Sequence, residues 1–440
     1  MLGDYKRRDL GNGLSIIGVE NPALHLFAVS VMVHAGPRFE ADEHRGLTHF
    51  LEHMIIQGSR DFPTSHDIIC AVEGIGGVID AGTRPESLDL YLGVHRAHWR
   101  RGLEIVSDVL LHPLFREEEV EQEKRIVLQE LAQYRDDQQR NISVAELAHS
   151  LMFKERVDEL GTRGSVEMTR SFGRALVCEQ YERFFRPRSM VVSLAGGFDF
   201  DEVCAAMDST LGAMPAGGAP SPIRREEAGR RRARAIYRRT ERTPVVDVEI
   251  CYRGFGLGDE RFGAMLAASR ILGGGLSSRL FTRVREELGL VYDVSSSAVT
   301  YSDTGSINVM LSSDVENLVE AFGATCDVVR QFREGGVSAE ELEWCKESVR
   351  CGTDIMCDQP HELAEWLGRQ ELLLRPERLM TPQEFVQRQE ALTCESMAEV
   401  IGQIFREEQG NLAVVGPFGE READALRARF PAEEADAVGR

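Results

Sequence analysis

Apolar and polar residues recur along the chain in patterns that predict short strands and amphipathic helices. In the first half, LFAVSVMVHAG (26–36) and LDLYLGV (88–94) have the pattern of strands, and RGLTHFLEHMII (45–56) has that of a helix. RAHWRRGLEIVSDVLL (96–111) and EEEVEQEKRIVLQELAQYRDD (117–137) predict two further helices. This order of elements predicts an α+β unit in which helices pack on a sheet.

The second half follows the same plan, with elements of similar length in the same order. Its predicted strands and helices are VVDVEICYRG (245–254), RFGAMLAASRIL (261–272), SINVMLSS (306–313), VENLVEAFGATCDVVRQF (315–332) and SAEELEWCKESVRCGTDIM (338–356). Two copies of one unit are the simplest account of this repeat. We therefore predict an α+β fold of two homologous mixed α/β domains, each a sheet flanked by helices.

A Gly-, Ala- and Pro-rich stretch, GAMPAGGAPSP (212–222), separates the halves and has no periodicity. Such composition is typical of a linker. The predicted domains are 1–211 and 236–440, joined by a linker over 212–235. The basic run 224–239 that overlaps the linker allows two interpretations, a patch for an anionic partner or a solvated linker edge.

The charge balance and the cysteines limit the partners and the compartment. The 440 residues carry a formal net charge of −21, which argues against nucleic acid or an anionic membrane as the main partner. There is no apolar run of the length of a secretory or membrane-spanning segment. The nine cysteines are scattered without a C-x-x-C pair, which is typical of reduced thiols. We expect a cytoplasmic protein.

The first predicted helix carries the pattern H-x-x-E-H, formed by His49, Glu52 and His53. Residues four apart lie on one helix face, so both imidazoles project together. Zinc binds two such nitrogens readily, and this pattern is one of the known zinc motifs. Glu52 lies close enough to act as a general base toward water. A match of this length can also arise by chance.

A catalytic zinc has three protein ligands, so the third must come from another element. The long helix offers Glu123 and Glu130, two turns apart on one face and beside apolar positions. Carboxylates in such a place need a charge partner. We assign Glu130 as the third ligand of Zn²⁺ and Glu123 as the residue that orients a histidine. The second copy has no histidine in its first helix and has Gly352 at the position of Glu130, so only the first half can bind this metal.

These segments resemble the pitrilysin/insulinase-type metallopeptidases, a family that includes the β subunit of mitochondrial processing peptidase. The resemblance extends over essentially the whole chain and rests on HAGPRFEADEHRGLTHFLEHMIIQGS (34–59), AVEGIGG (71–77), EKRIVLQE (123–130) and GGGLSSRLFTRVREELGLVYDV (273–294). It implies zinc-dependent peptide hydrolysis, with zinc bound by His49, His53 and Glu130, water activated by Glu52, and Glu123 as an accessory residue.

The resemblance also implies that Arg285 and Tyr292 in the second half hold the substrate opposite the metal. A guanidinium and a phenol can donate to a scissile carbonyl and to its developing oxyanion. Taken without the resemblance, Arg285 is a surface residue paired with Glu286 or Glu287, and Tyr292 is a core residue of a strand.

One segment departs from the family pattern. Where the family has Asn-Ala-x-Thr on the edge strand that pairs with substrate, this chain has Asp80-Ala81-Gly82-Thr83. Main-chain pairing of an extended peptide needs no side chain and survives the change. The carboxylate of Asp80 predicts an altered substrate preference, toward basic residues.

Family members close a chamber from four homologous domains, and this chain supplies two, half of a clamshell. The resemblance therefore implies a homodimer, or a heterodimer with a homologous subunit. The predicted function is a zinc-dependent endopeptidase that hydrolyses short or unfolded peptides inside that chamber. Two alternatives stay open: a processing protease that matures a specific precursor peptide with a partner subunit, and a non-catalytic scaffold subunit of the same fold.

Overall fold

A computed structural model describes residues 5–152, 163–218, 233–374 and 379–435. Residues 219–232 of the predicted linker, with much of the basic run, lie outside the described residues. The strands are β1 (Lys6–Asp9), β2 (Ser15–Glu20), β3 (Leu26–Val33), β4 (Val78–Thr83), β5 (Leu88–His95), β6 (Met190–Gly196), β7 (Arg234–Arg239), β8 (Val246–Gly254), β9 (Asp293–Thr300), β10 (Gly305–Ser313), β11 (Asn411–Gly416) and β12 (Glu433–Glu434).

The helices of the described residues include the six predicted from the sequence, each within about four residues of its predicted bounds. They are α1 (Leu47–Ile55), α2 (Ser65–Glu73), α3 (Trp99–Leu111), α4 (Glu117–Gln133), α5 (Val144–Met152), α6 (Val166–Ser171), α7 (Arg174–Phe184), α8 (Phe200–Thr210), α9 (Phe262–Gly273), α10 (Leu318–Gly335), α11 (Ala339–Cys357), α12 (Pro360–Leu373), α13 (Pro382–Glu390), α14 (Cys394–Ile404) and α15 (Glu420–Arg429).

The chain forms two compact units, each with a six-stranded mixed sheet. The first contains the described residues of Met1–Leu131, Thr162–Arg224 and Gly352–Pro382, and the second those of Ala132–Gly161, Arg225–Cys351 and Gln383–Arg440. The strand orders are β1-β2-β6-β3-β5-β4 and β12-β7-β11-β8-β10-β9. Each sheet contains an inner parallel pair, β2 with β6 in the first and β7 with β11 in the second. Three strands follow this pair, each antiparallel to its neighbour: β3, β5 and β4 in the first sheet and β8, β10 and β9 in the second. The prediction of two mixed sheets flanked by helices is confirmed.

Each unit takes one helix from the other half of the sequence, which a linear division at the linker does not provide. In the first unit α12 packs on β3 and β6, and in the second unit α5 packs on β8 and β11. The reason is burial, because residues on both faces of these central strands are buried and each face must be covered. The compact units therefore differ from the predicted ranges 1–211 and 236–440 in these two segments.

The first unit positions the site. Its main core lies between the sheet and a layer that includes α1, α3 and α7, where Phe27, Phe50 and Phe172 are fully buried. Val29, Val31 and Val33 of β3 point into this core, and α1 packs against it through Leu47, Phe50, Leu51 and Met54. This packing fixes α1 beside the edge strand β4, with the polar side of the helix turned away from the core.

Candidate metal centre

The N-terminus of α1, the helix that carries His49 and His53, is capped by a carboxylate. Gly46 precedes α1 with a positive φ of 84°, and the carboxylate of Glu40 accepts hydrogen bonds from the backbone N–H groups of Gly46 (2.9 Å) and Thr48 (2.5 Å). Glu40 is almost fully buried. A carboxylate at a helix N-terminus satisfies free N–H groups and interacts favourably with the helix dipole. This cap holds the first turn of α1, which contains His49.

His49, His53 and Glu130 converge on one point. Nε2 of His49 and Nε2 of His53 each lie 3.6 Å from Oε2 of Glu130. One ligand atom from each residue lies within 4.8 Å of the others. His49 and His53 come from α1 and Glu130 from α4, as the spacing predicts. The three side chains offer the two nitrogens and one oxygen of a single metal site.

The geometry of this set fits zinc. Zinc–nitrogen and zinc–oxygen bonds of ~2.0–2.2 Å at a tetrahedral centre place neighbouring ligand atoms about 3.4 Å apart. The 3.6 Å separations are close to that edge length. Burial lowers the pKa of His49 to about 4, so its imidazole is neutral, which is the form that binds a metal. The residues therefore match the group in type, number and spacing.

The second nitrogen of His53 has a carboxylate partner. Nδ1 of His53 lies 3.3 Å from Oε2 of Glu123, and Glu123 is buried. Oε1 of Glu123 accepts a hydrogen bond of 3.0 Å from Gln57, which also donates to the carbonyl of His53. A carboxylate behind a ligating histidine fixes the tautomer and the ring orientation. Glu123 thus lies where the sequence places it, and Gln57 completes the arrangement.

Glu130 has a partner that the sequence did not indicate. Nε of Arg163 donates to Oε1 of Glu130 at 2.6 Å, and this leaves Oε2 toward the histidines. Burial acts to raise the pKa of Glu130, but the hydrogen bond from Arg163 and the positive charge of that guanidinium outweigh it and lower that pKa. The ligand carboxylate is therefore ionised. Arg163 lies in a loop without periodicity, so no sequence signal could have identified it.

Glu52 lies on α1 between the two histidines and faces the edge strand. Oγ1 of Thr83, the last residue of β4, donates to Oε2 of Glu52 at 2.7 Å. Burial raises the pKa of Glu52, while the Thr83 hydrogen bond opposes that effect. A general base gains from both, since burial raises its proton affinity and the hydrogen bond fixes its direction. Thr83 is the last residue of the Asp-Ala-Gly-Thr segment, and its place in that segment is the sequence signal that could have identified it.

Asp80 and Ala81 lie on β4, at the edge of the first sheet. Asp80 is exposed, and its Oδ1 accepts a hydrogen bond from the N–H of Ala81 at 2.9 Å. The charge of Asp80 also acts to raise the pKa of Glu52. Asp80, the residue that departs from the family pattern, is thus close enough to Glu52 to affect its pKa.

Arg285 and Tyr292 belong to the second unit. Arg285 lies on a π-helical turn, Phe281–Glu287, with its guanidinium 4.8 Å from the ring centroid of Phe281. Glu287 pairs with Arg283, and within the described part of the chain Arg285 forms no ion pair. Tyr292 precedes β9, is 57% exposed, and donates to Asp314 at 3.0 Å. Arg285 is therefore a surface residue, as the alternative has it, but the described residues show no salt bridge to Glu286 or Glu287, and the alternative of a core position for Tyr292 is wrong.

Comparison with known proteins identifies the family. The chain matches the family model described as insulinase (peptidase family M16) over residues 16–162, and the one described as peptidase M16 inactive domain over residues 171–349. An uncharacterized zinc protease of Mycobacterium tuberculosis is 30% identical over 94% of each chain. The chain belongs to peptidase family M16. The predicted resemblance is confirmed.

A further relative is similar in sequence, and solved structures share the fold. The uncharacterized zinc protease YmxG of Bacillus subtilis is 27% identical over 94% of this chain and 98% of its own. A protease from Helicobacter pylori has the same fold, with a TM-score of 0.86 and 16% identity over 95% of this chain and all of that one. An M16 inactive domain from Pseudomonas fluorescens has a TM-score of 0.83 and 18% identity over 94% and 98% of the two chains.

The cofactor of this M16 chain is zinc, as predicted. The relatives are named zinc proteases, and His49, His53 and Glu130 form a ligand set that fits the ion. Among the described helices, none combines the length and the apolar character that crossing a bilayer requires.

Proposed function

We propose that this M16 chain is a zinc-dependent endopeptidase that hydrolyses short or unfolded peptides. The observation that carries the proposal is the convergence of His49, His53 and Glu130, with Glu52 beside them on the same helix. A scaffold protein has no need of a complete ligand set together with a general base. Zinc, when bound by these ligands, supplies Lewis-acid chemistry that polarises a carbonyl group and makes water more acidic.

The residues of the chain perform the proton transfers in this proposal. Glu52, held by Thr83, removes a proton from the attacking water, whose oxygen then bonds to the scissile carbonyl carbon. As the carbon–nitrogen bond breaks, Glu52 returns that proton to the leaving amine. Water is thereby added across the peptide bond, and Glu52 ends in its starting state.

Substrate binding is proposed to use the edge of the first sheet. An extended peptide can add to β4 through main-chain hydrogen bonds, because that strand has a free edge among the described strands. Asp80 on this strand favours a basic side chain in the peptide. Arg285 and Tyr292, both with exposed polar groups, are proposed to hold the substrate carbonyl. In the family's arrangement they act on the zinc half of a homologous partner, so we propose a homodimer or a heterodimer that forms the chamber.

The test separates chemistry from metal binding. Purified wild-type protein and Glu52→Gln are compared for zinc content and for cleavage of a peptide library read by mass spectrometry, with and without chelator. We expect equal zinc content and a loss of nearly all cleavage in the variant. Chelator-resistant cleavage, or unchanged cleavage by Glu52→Gln, contradicts the proposal. Zinc-loaded wild-type protein without cleavage supports the scaffold function instead.

The compartment and the specific substrate belong to the same proposal. We place the protein in the cytoplasm on its scattered thiols, whereas a similar solved structure is that of the periplasmic protease PqqL from Escherichia coli, which the chain covers over 50% of its length. Cleavage of a single library sequence, or cleavage only with a homologous subunit added, favours a dedicated processing protease.

A further inference from the structure

A second cluster of side chains that could hold a metal ion lies in the second unit, where Glu249 and Cys251 are buried and His149 is partly buried. His149 lies on α5, and Glu249 and Cys251 lie on β8, on which α5 packs. One ligand atom from each of the three lies within 4.8 Å of the others. None of these residues contributes to the proposed peptidase chemistry.

The strand pattern explains why the set is buried. Along β8, Val248, Ile250 and Tyr252 point into the main core of the unit, so Glu249 and Cys251 face the opposite side, toward α5. Cys251 has no exposed surface and Glu249 is 3% exposed. Their neighbours on that side are apolar: Leu147, Ala148, Leu151, Ala413 and Val415.

Glu249 has no charged partner among the described residues, although its carboxyl group is buried. Within the described part of the chain its one hydrogen bond is to the thiol of Cys251, at 3.4 Å between Sγ and Oε1. A thiol is a weak donor, and a buried carboxylate is costly unless it is paired or bound to a metal. No Lys or Arg side chain among the described residues forms an ion pair with Glu249. The group is therefore buried at a cost that a cation would remove.

Both ring nitrogens of His149 contact neighbours, Tyr301 just after β9 and Asn308 on β10. Its Nδ1 lies 3.4 Å from the hydroxyl of Tyr301, and its Nε2 lies 3.0 Å from Nδ2 of Asn308. Oδ1 of Asn308 is buried and has no hydrogen-bond partner among the described residues. A ligating imidazole keeps one nitrogen for the metal and one for an orienting partner. A bond from one ring nitrogen to a metal would replace one of these two contacts and leave the other as the orienting partner, and the amide of Asn308 adds a further buried oxygen.

We propose that His149, Glu249 and Cys251 bind a divalent cation of the zinc type at a buried structural site. A thiolate, an imidazole and a carboxylate suit zinc or cobalt and do not suit magnesium or calcium. The 3.4 Å between Sγ and Oε1 is close to the ~3.6 Å edge that zinc–sulfur and zinc–oxygen bonds of about 2.3 and 2.1 Å give at a tetrahedral centre. The cation offsets the burial of Glu249 and joins α5 to the sheet.

Metal content tests the site independently of the peptidase centre. Zinc per chain is measured in protein expressed with zinc, for the wild type, a His49→Ala/His53→Ala double variant, Cys251→Ser, and the combination of all three substitutions. We expect two, one, one and no ions per chain. One ion in the wild type that the double variant loses overturns the proposal. One ion that only Cys251→Ser loses supports the buried site and contradicts the zinc ligands of the proposed peptidase.

Cobalt substitution tests the thiolate ligand in the unmodified protein first and then in variants. The protein expressed with cobalt in place of zinc is examined in the near ultraviolet, where a thiolate ligand gives a sulfur-to-cobalt charge-transfer band. The His49, His53 and Glu130 set contains no sulfur, so this band reports on Cys251. Cys345→Ser, which changes another buried cysteine of the same unit, must keep the band, and Cys251→Ser must lose it. Absence of the band in the unmodified protein overturns the proposal even if the variants do not fold.

Discussion

Arg163 Nε lies 2.6 Å from Oε1 of Glu130, and the other oxygen of that carboxylate lies 3.6 Å from Nε2 of both His49 and His53. The guanidinium therefore occupies one oxygen and leaves the second to the metal. It also keeps the carboxylate ionised, since it lowers the pKa of Glu130 against the effect of burial. Arg163 is a positioning residue, because it acts through Glu130.

Removal of the hydrogen bond from Arg163 to Glu130 should weaken zinc binding. In Arg163→Met, Glu130 loses its fixed rotamer and its neighbouring charge, and we expect zinc affinity to fall by about tenfold or more, as for other outer partners of metal ligands. The measurement is competition with a fluorescent zinc chelator. Arg125→Met on α4, an exposed arginine near Glu130 in sequence, is the matched control and should bind zinc as the wild type does. Equal affinity in both variants contradicts the role of Arg163.

Glu123 should have a comparable effect through His53. Glu123→Gln keeps the size of the side chain but removes the charge that orients the imidazole, and we expect zinc affinity to fall by ~10–100-fold. Glu121→Gln on the same helix is the control, because Glu121 is exposed and pairs only with Lys124 among the described residues. Loss of affinity in both variants to the same degree would instead indicate a general effect of charge on α4.

The ligand set could be predicted from the sequence because its spacing follows helical geometry. His49 and His53 are one turn apart on α1, Glu123 and Glu130 are two turns apart on α4, and in both cases buried apolar positions fix the face. Arg163 reaches Glu130 from a loop, where no periodicity relates the two positions. Thr83 could be identified only by its place in the Asp-Ala-Gly-Thr segment, since its hydroxyl contacts an element that the sequence does not place beside it.

The repeated order of strands and helices likewise predicted the two sheets, but it could not predict which sheet α5 and α12 cover. Local periodicity indicates that a helix has an apolar face, and it does not indicate the surface that buries that face. Each sheet needs cover on both sides, and the helix that supplies it comes from the other half of the chain. The buried set of His149, Glu249 and Cys251 depends on this exchange.

The hydroxyl of Thr83 should set the acid limb of the pH–rate profile of the proposed peptidase. Its hydrogen bond favours the ionised form of Glu52, so Thr83→Val should raise the pKa of Glu52 and shift the acid limb to higher pH. We expect kcat to fall by about tenfold at neutral pH with zinc content unchanged, as for a lost interaction that orients a general base. Thr83→Ser, which retains the hydroxyl, should restore both the rate and the profile. An unshifted profile in Thr83→Val contradicts this role.

His34 should make folding sensitive to mild acid. Both of its ring nitrogens are buried without partners among the described residues, and burial lowers its pKa from 6.5 to about 4. Between these values the unfolded chain binds more protons than the folded one, so stability falls as the pH falls. Lowering the pH from about 7.5 to about 5 should cost the wild type up to about 2 kcal/mol that His34→Leu does not lose.

Chemical denaturation at both pH values measures this difference. His98→Leu, which changes an exposed histidine of the same unit, is the control and should show the pH dependence of the wild type. If His34→Leu loses as much stability as the wild type on acidification, the neutral state of His34 is not the cause.

Gly46 should link the stability of the first unit to zinc binding. It has a φ of 84°, and a Cβ there would lie 2.2 Å from the carbonyl oxygen of Arg163. Gly76 in the same unit has a similar φ of 70°, but no described atom lies within 4 Å of its Cβ position. Gly76→Ala should therefore cost only the ~1–2 kcal/mol of a left-handed backbone. Gly46→Ala should cost a further ~1–3 kcal/mol, because the loop must move.

That movement displaces Arg163 from Glu130, so Gly46→Ala should also bind zinc more weakly, whereas Gly76→Ala should bind it as the wild type does. Denaturation of the metal-free proteins and chelator competition give the two quantities separately. Equal destabilisation by both substitutions would show that the segment at Arg163 moves away from the new Cβ at little cost in free energy. Gly46 at the start of α1 contacts the backbone of Arg163, and Arg163 in turn holds Glu130, so a displaced Arg163 should be detected as weaker zinc binding. Unchanged zinc affinity in a destabilised Gly46→Ala would show that Glu130 keeps its position without the arginine.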